Sequence, residues 1–272
     1  MLKASGEEIR VKYLVIIQAR CGSSRLPEKV LMDLACKSVV ERVVERVQKS
    51  KKIDNLLVAT SMQKNNLPLI ERVARNGVQV FVGSESDVLD RYYQAARLFN
   101  SEYVIRVTAD CPLIDHMFID QMIEQIDEKT DYVSADLSFP VGVGAEIIKT
   151  KVLNQAWQEA RLASEREHVT LFVSNHPERF NIKTLNCEYK NASRVRLTLD
   201  HPEDYELISI IYNHFAKLGR ADDFGTLDVL KFLEQNPKLK KINEHIDRQE
   251  GLDKSLAQDR FVRLEVDENA VN

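Results

Sequence analysis

Three cations stand close together in the stretch VIIQARCGSSRLPEKVL, residues 15–31: Arg20, Arg25 and Lys29, interleaved with Gly22, Ser23 and Ser24. Guanidinium groups form paired, charge-assisted bonds with phosphate oxygens, hydroxyls add donors, and glycine lets backbone N–H groups approach. Such a loop suits a pyrophosphate or triphosphate. Its pattern is neither GxxxxGK[ST] nor GxGxxG, which disfavours a P-loop and a dinucleotide fingerprint. The competing account is a solvated basic loop whose arginines pair with surface carboxylates. A second signal is a local grammar that occurs twice. In YVIRVTADCP and RVRLTLDHP an apolar run closes on an aspartate, then any residue, then proline, placing Asp110 and Asp200 at strand ends ahead of helices. Two carboxylates so placed could share a magnesium ion, which takes one or two carboxylates with phosphate oxygens and water. Each could equally accept hydrogen bonds from the helix that follows it. Asp204, beside Glu203 in a first helical turn, is the weaker third candidate.

These residues need a scaffold that gathers them, and the apolar pattern supplies one. Near-continuous apolar runs at Tyr13–Ala19, Asn55–Thr60, Val78–Val82 and Tyr103–Thr108 read as strands buried on both faces. Between them, Val39, Val40, Val43, Val44 and Val47 recur at helical spacing, as do Leu67, Ile70, Val73 and Ala74, then Leu89, Tyr92, Tyr93 and Ala96. The alternation predicts an α/β fold with a mostly parallel, Rossmann-like sheet. Ligands of such sheets bind outside the carboxyl ends of the strands, where the basic loop, Thr60–Ser61, Gly83–Asp87 and Asp110 all fall. After Asp131 the rhythm loosens into a mixed α+β insertion. There the pattern predicts strands at Tyr132–Ala135, Glu146–Lys149, Phe180–Leu185 and Arg194–Leu199, one helix reaching Ala163 and another over Glu165–Asn175. Helices follow at Pro202–Leu218 and Leu227–Gln235. One nucleotide-handling domain over residues 1–235, with 139–190 as its insertion, and a loose or partner-docking tail over 236–272 is the expected organisation.

Net charge is −4, from 38 basic and 42 acidic residues mixed along the whole length, so a general polyanion-binding face is not expected and nucleic acid is not a predicted partner. Cys21, Cys36, Cys111 and Cys187 are widely spaced, without a CxxC pair, which argues against structural zinc and a disulfide framework. The opening residues MLKASGEEIRVKY are too polar for a signal peptide, and no apolar stretch approaches the roughly 20 residues of a membrane span. A soluble, cytoplasmic protein without membrane contact is expected.

The stretches IIQARCGSSRLPEKVL, GSESDVLDRYYQAA, RVTADCPLID, SEREHVTLFV and LTLDHPEDYELI, in this order between about Lys12 and Phe215, resemble the spore-coat-polysaccharide type of cytidylyltransferase. That type is a branch of the acylneuraminate and 3-deoxy-manno-octulosonate cytidylyltransferases. The resemblance implies a fold of the nucleotide-diphospho-sugar transferase type. It implies a magnesium-dependent enzyme that joins CMP from CTP to a sugar, sugar acid or related acceptor and releases pyrophosphate, acting in surface polysaccharide or glycoconjugate synthesis. By position it assigns Arg20, Arg25 and Lys29 to the triphosphate, with Ser23 and Ser24 lining the same loop, and Asp110 and Asp200 to Mg2+; Arg20, Lys29, Asp110 and Asp200 then carry the catalysis. Ser61, Asp87 and Arg91 fall where the fold holds base and ribose, although Asp87 could equally cap its helix. Glu146, Arg166 and His168 fall in the part that shapes the acceptor pocket and the contact of a homodimer; His168 could accept a proton, or serve as an ordinary packed histidine. Two positions depart from the type: Glu28 stands where glycine is usual and Gly144 where aspartate is. A glycosyltransferase of the same sheet architecture and a non-catalytic nucleotide-binding protein are the two rival readings.

Overall fold

The computed structural model describes residues 11–262. Seven strands form one sheet: β1 (Tyr13–Gln18), β2 (Asn55–Ser61), β3 (Gln79–Gly83), β4 (Tyr103–Thr108), β5 (Tyr132–Ala135), β6 (Glu146–Lys149) and β7 (Ile182–Leu185), in the order β3-β2-β1-β4-β6-β5-β7. The β1–β2, β2–β3, β1–β4 and β5–β7 pairs are parallel, and β6 runs antiparallel to both β4 and β5. Because the chain leaves β1 toward β2 on one side and returns to β4 on the other, their carboxyl ends open a crevice, the place where open α/β sheets receive ligands.

Side chains of the central strands alternate between two buried layers, as the twofold repeat of a strand requires. Val15 and Ile17 face the valines of α1 (Val39–Gln48), with Leu69 and Val73 of α2 (Leu67–Arg75) and Ile119 and Met122 of α4 (His116–Glu124). Leu14 and Ile16 face α3 (Val88–Leu98), α5 (Thr150–Glu159) and Phe172 of α7 (Leu171–Ser174). A third cluster joins Phe139, Leu197 and Leu199 to α8 (Pro202–Lys217) and α9 (Thr226–Gln235), closing the far end of the sheet.

Four expectations are corrected. Arg194 closes a 3-10 turn over Ala192–Arg194, and residues 195–199 that follow make only one β-bridge, Val141 with Arg196, so they form a seam and not an eighth strand. Gly142 is what lets the two segments touch: its φ is +91°, and a Cβ there would lie 2.6 Å from the Thr198 amide nitrogen. The helix expected over Glu165–Asn175 is two, α6 (Ala163–Glu167) and α7, parted where Val169 takes φ 53°, a conformation β-branched residues rarely adopt; the helix before it, α5, stops at Glu159 and not Ala163. The segment from Pro237 is not loose as far as residue 262. It carries α10 (Pro237–Lys240) and α11 (Glu250–Ala257) and returns to the domain, where the Asp259 carboxylate accepts from the Ser164 amide and hydroxyl at 3.1 and 2.5 Å. The expected tail's last ten residues, 263–272, lie outside the described residues.

Candidate active site

The loop after β1 folds back on itself through a short 3-10 turn at Lys29–Leu31, entered by Glu28 at φ 54°. That left-handed conformation favours glycine; the Glu28 side chain is exposed and is not part of the cavity lining. The turn lays the Lys29 side chain, nine-tenths buried, across the end of the sheet. Its Nζ donates to Asp110 Oδ2 at 2.9 Å, Asp200 Oδ1 at 2.7 Å and the Leu199 carbonyl at 2.8 Å. The two aspartates of the repeated grammar, ninety positions apart in the chain, therefore meet on one ammonium. Burial alone would lower the Lys29 pKa, but the two carboxylates outweigh it and hold it above the ordinary lysine value. Burial would likewise raise Asp110, and Lys29 with a hydrogen bond from Thr108 holds it below the ordinary carboxylate range.

The other loop cations are also paired. Arg25 meets Asp200 at 3.1 Å and Glu250 at 3.4 Å, and Arg20 meets Glu167 at 3.2 Å and Glu85 at 3.4 Å. Asp200 is set in place by Asp204, which is fully buried: its Oδ2 accepts from the amides of Asp200 and His201, both at 3.0 Å, and it pairs with Arg196. Asp204 thus positions a neighbour without reaching the crevice.

A cavity of about 380 Å³ lies over this cluster, lined by Arg20, Ser23, Ser24, Arg25, Lys29, Asp110, Asp200 and His168. Gln18, at the end of β1, lines it too, with its Oε1 buried and without a partner among the described residues. A second cavity of about 420 Å³ sits over β4, β6 and β5, with Glu146, Tyr132, Gly144 and Arg248 in its walls. Arg106 and Thr108 line both, so the two share a wall at the end of β4. Glu146 is held by Arg106, by the Tyr132 hydroxyl and by Thr170 at 2.7 Å; burial works against its charge, but Arg106 and the hydrogen bonds from Thr170 and Tyr132 together outweigh it and hold the carboxyl below the ordinary glutamate value. A Cβ on Gly144 would stand 3.1 Å from that of Ala135, so an aspartate there would crowd this wall and the glycine leaves it open. The His168 Nε2 lies 2.9 Å from Ser255 Oγ, and burial followed by the Arg106 charge lowers its pKa, favouring the neutral ring.

Four of the expected site residues stand behind the cavities. Ser61 is fully buried, its hydroxyl taken by Asn66 at 2.8 Å. Asp87 caps α3, accepting from the Asp90 amide at 2.8 Å, and its other oxygen pairs with Arg166. Arg166 is itself buried and donates onward to the Trp157 carbonyl at 2.6 Å. Arg91, fully buried, is turned onto the Ser84 carbonyl by its Nε at 2.8 Å. Sequence reasoning passed over Arg106, a charge inside an otherwise apolar strand and so a legible signal, and over Lys254 and Arg248, which sit in a charged segment without pattern.

Two carboxylates facing a polar crevice are hard oxygen donors suited to magnesium when phosphate oxygens and water complete the shell. Among the described residues no group of three or more acidic, His or Cys side chains forms a ready-made metal centre, so the protein residues that fit such an ion are Asp110 and Asp200. Cys111, beside them, is no nucleophile: burial and the Asp110 charge push its thiol up to about 12. No helix among the described residues is long and apolar enough to cross a membrane.

The family model described as cytidylyltransferase matches residues 14–241. The spore coat polysaccharide biosynthesis protein SpsF of Bacillus subtilis is 36% identical over 231 residues, covering 82% of this chain and 95% of its own. A cytidylyltransferase from Leptospira borgpetersenii serovar Hardjo-bovis superposes with a TM-score of 0.79 at 30% identity, over 84% of this chain and 96% of that one. A CMP:2-keto-3-deoxy-manno-octonic acid synthetase, solved with CTP, shares the fold at TM-score 0.60 and 18% identity, over 75% of this chain and 99% of that one. With a model that spans most of the chain and a relative above one-third identity along nearly its whole length, this chain is a member of the cytidylyltransferase family.

Proposed function

We propose that the chain transfers a cytidylyl group from CTP to a sugar, sugar acid or related small acceptor and releases pyrophosphate, in the synthesis of a surface polysaccharide or glycoconjugate. The observation that carries this reading is the meeting of three loop cations with Asp110 and Asp200 in one cavity that shares its Arg106 wall with a second. The first suits the nucleotide and the second the acceptor. CTP is the donor the family uses, and the polysaccharide setting follows from the name of the Bacillus relative.

In the reaction an acceptor oxygen attacks the α-phosphorus, the bond from that phosphorus to the bridging oxygen breaks, and pyrophosphate leaves with the negative charge. Arg20, Arg25 and Lys29 stabilise that charge, and Ser23 and Ser24 supply donors from the same loop. The carboxylates now paired with these cations give way to phosphate oxygens, which are better matched to a guanidinium fork. Neutral His168, in the lining of the first cavity, can take the acceptor's proton. Mg2+, held by Asp110 and Asp200, would supply charge neutralisation on the phosphates. Glu146 belongs to the acceptor wall with Arg106 and Tyr132, while Ser61, Asp87, Arg91 and Arg166 hold the strand-end loops in place. The active form in this reading is a homodimer formed through the 139–190 region.

The test is to incubate the protein with each nucleoside triphosphate, magnesium and a panel of sugars, sugar acids and sugar phosphates while monitoring pyrophosphate. Release with CTP and a subset of acceptors is expected. Consumption of a sugar nucleotide with release of nucleoside diphosphate would establish the glycosyltransferase instead, and CTP binding without turnover across the panel would leave a binding protein.

A further inference from the structure

The family model ends at residue 241, and α11 lies beyond it. Yet α11 forms one wall of the first cavity. Gly251, Lys254 and Ser255 line it, and Glu250 reaches past them to Arg25 at 3.4 Å and to His201 Nε2 at 2.7 Å. Residues 250 and 254, and 251 and 255, are successive pairs on adjacent rows of one helix face, so the whole face is turned to the crevice. Its placement is not incidental: Ser255 meets His168, Asp259 holds the start of α6, and the Val262 amide donates to the Arg161 carbonyl at 2.7 Å.

The charges of this wall are unequal. Arg20, Arg25, Lys29 and Arg106 each face one or more carboxylates within ion-pair distance. Lys254 has no ion-pair partner among the described residues; Glu250, the acid one turn before it, is committed to Arg25 and His201. Among the described residues it is the first cavity's uncompensated cation, exposed on a flexible four-carbon stem, so no ion pair among them must be broken before it can meet an anion. A polyphosphate entering between the basic loop and α11 would have to displace a carboxylate from every other cation.

We propose that Lys254, supplied by the helix beyond the span the family model matches, is a polyphosphate-binding residue, the fourth cation of the triphosphate site. This rests on the reading that the first cavity holds the nucleotide. The ammonium engages the β- and γ-phosphates as a point charge, and α11 becomes a bound element of the loaded site.

Calorimetry on the full chain with magnesium, using CTP, CMP and tripolyphosphate against wild type, Lys254→Gln and Lys254→Arg, tests it. In Lys254→Gln the affinity for CTP and for tripolyphosphate should fall roughly tenfold, the scale of one charge-assisted contact, with CMP changed less than about twofold. Lys254→Arg should recover most of the loss. Wild-type CTP and tripolyphosphate affinity in Lys254→Gln, or an equal loss for CMP, would overturn the assignment. Failure of the functional reading looks different: wild type would then bind tripolyphosphate in a Lys254-dependent way without preferring CTP, whereas a wild type that binds neither defeats both.

Discussion

Lys29 is the residue on which the site's charges converge, because one ammonium draws together two carboxylates ninety positions apart in the chain. If Asp110 and Asp200 hold magnesium, Asp110→Asn and Asp200→Asn should each lower turnover by about two orders of magnitude and raise the magnesium requirement, as expected for loss of metal-borne charge stabilisation. Helix capping alone would leave both variants active, since asparagine caps as well as aspartate; wild-type steady-state rates and magnesium dependence in both would remove the metal role. Lys29 and Asp110 also govern a pH profile. Asp110, held below its ordinary value, contributes stability above the ordinary carboxylate pKa that is lost as pH falls through the lowered one; Lys29, held above its ordinary value, contributes below the ordinary lysine pKa and loses it as pH rises through the raised one. Stability from this cluster is thus level across neutrality, and the acid limb of thermal denaturation should be shallower in Asp110→Asn than in wild type. Asp110 and Asp200 stood out because an apolar run ending on Asp-x-Pro is a local pattern, although only the run before Asp110 proved to be a strand. Their shared partner was not legible, since nothing in the sequence near Lys29 says which acids it will meet.

At the scale of elements, legibility followed the length of the periodic signal. The central strands and α1, α3 and α8 carry several turns or residues of consistent burial and lie where the pattern puts them, whereas short pieces governed by tertiary contact, such as residues 194–199 and the break at Val169, do not. Asp87 and Arg166 show why residue type was readable and role was not. They are seventy-nine positions apart, and together they bolt the start of α3 to α6 beneath the crevice. The pair is largely buried, so removing one partner strands the other's charge. Asp87→Asn keeps the helix cap but unpairs Arg166, and Arg166→Met unpairs Asp87; each should cost about 3 kcal/mol in urea denaturation. The double variant should cost clearly less than the two together, because no lone buried charge remains. Additive losses would mean that the two residues stabilise independently and that no latch exists.

Over the whole molecule, the crevice is closed by a segment from the far end of the chain, so residues 25 and 250 depend on one another. In the proposed site Glu250 occupies the position on Arg25 that a phosphate oxygen would take, and its hydrogen bond with His201, together with the Arg25 charge, holds it ionised below the ordinary glutamate value. On that reading the protein without nucleotide is tethered through the carboxylate, and CTP has to compete with that tether before it gains Arg25. Glu250→Gln removes the competitor's charge while keeping the side chain's length, which gives opposite effects on the two states. The free protein should melt slightly lower, since the tie between α11 and the basic loop is weakened. CTP should bind several-fold more tightly, and its stabilising shift in Tm should grow, because ligand stabilisation scales with the logarithm of concentration over Kd. Thermal melts of wild type and variant, with and without CTP and magnesium, read both effects at once. A lower Tm without CTP combined with an unchanged or weaker CTP affinity would make Glu250 a support for the nucleotide site and not a stand-in for its phosphate.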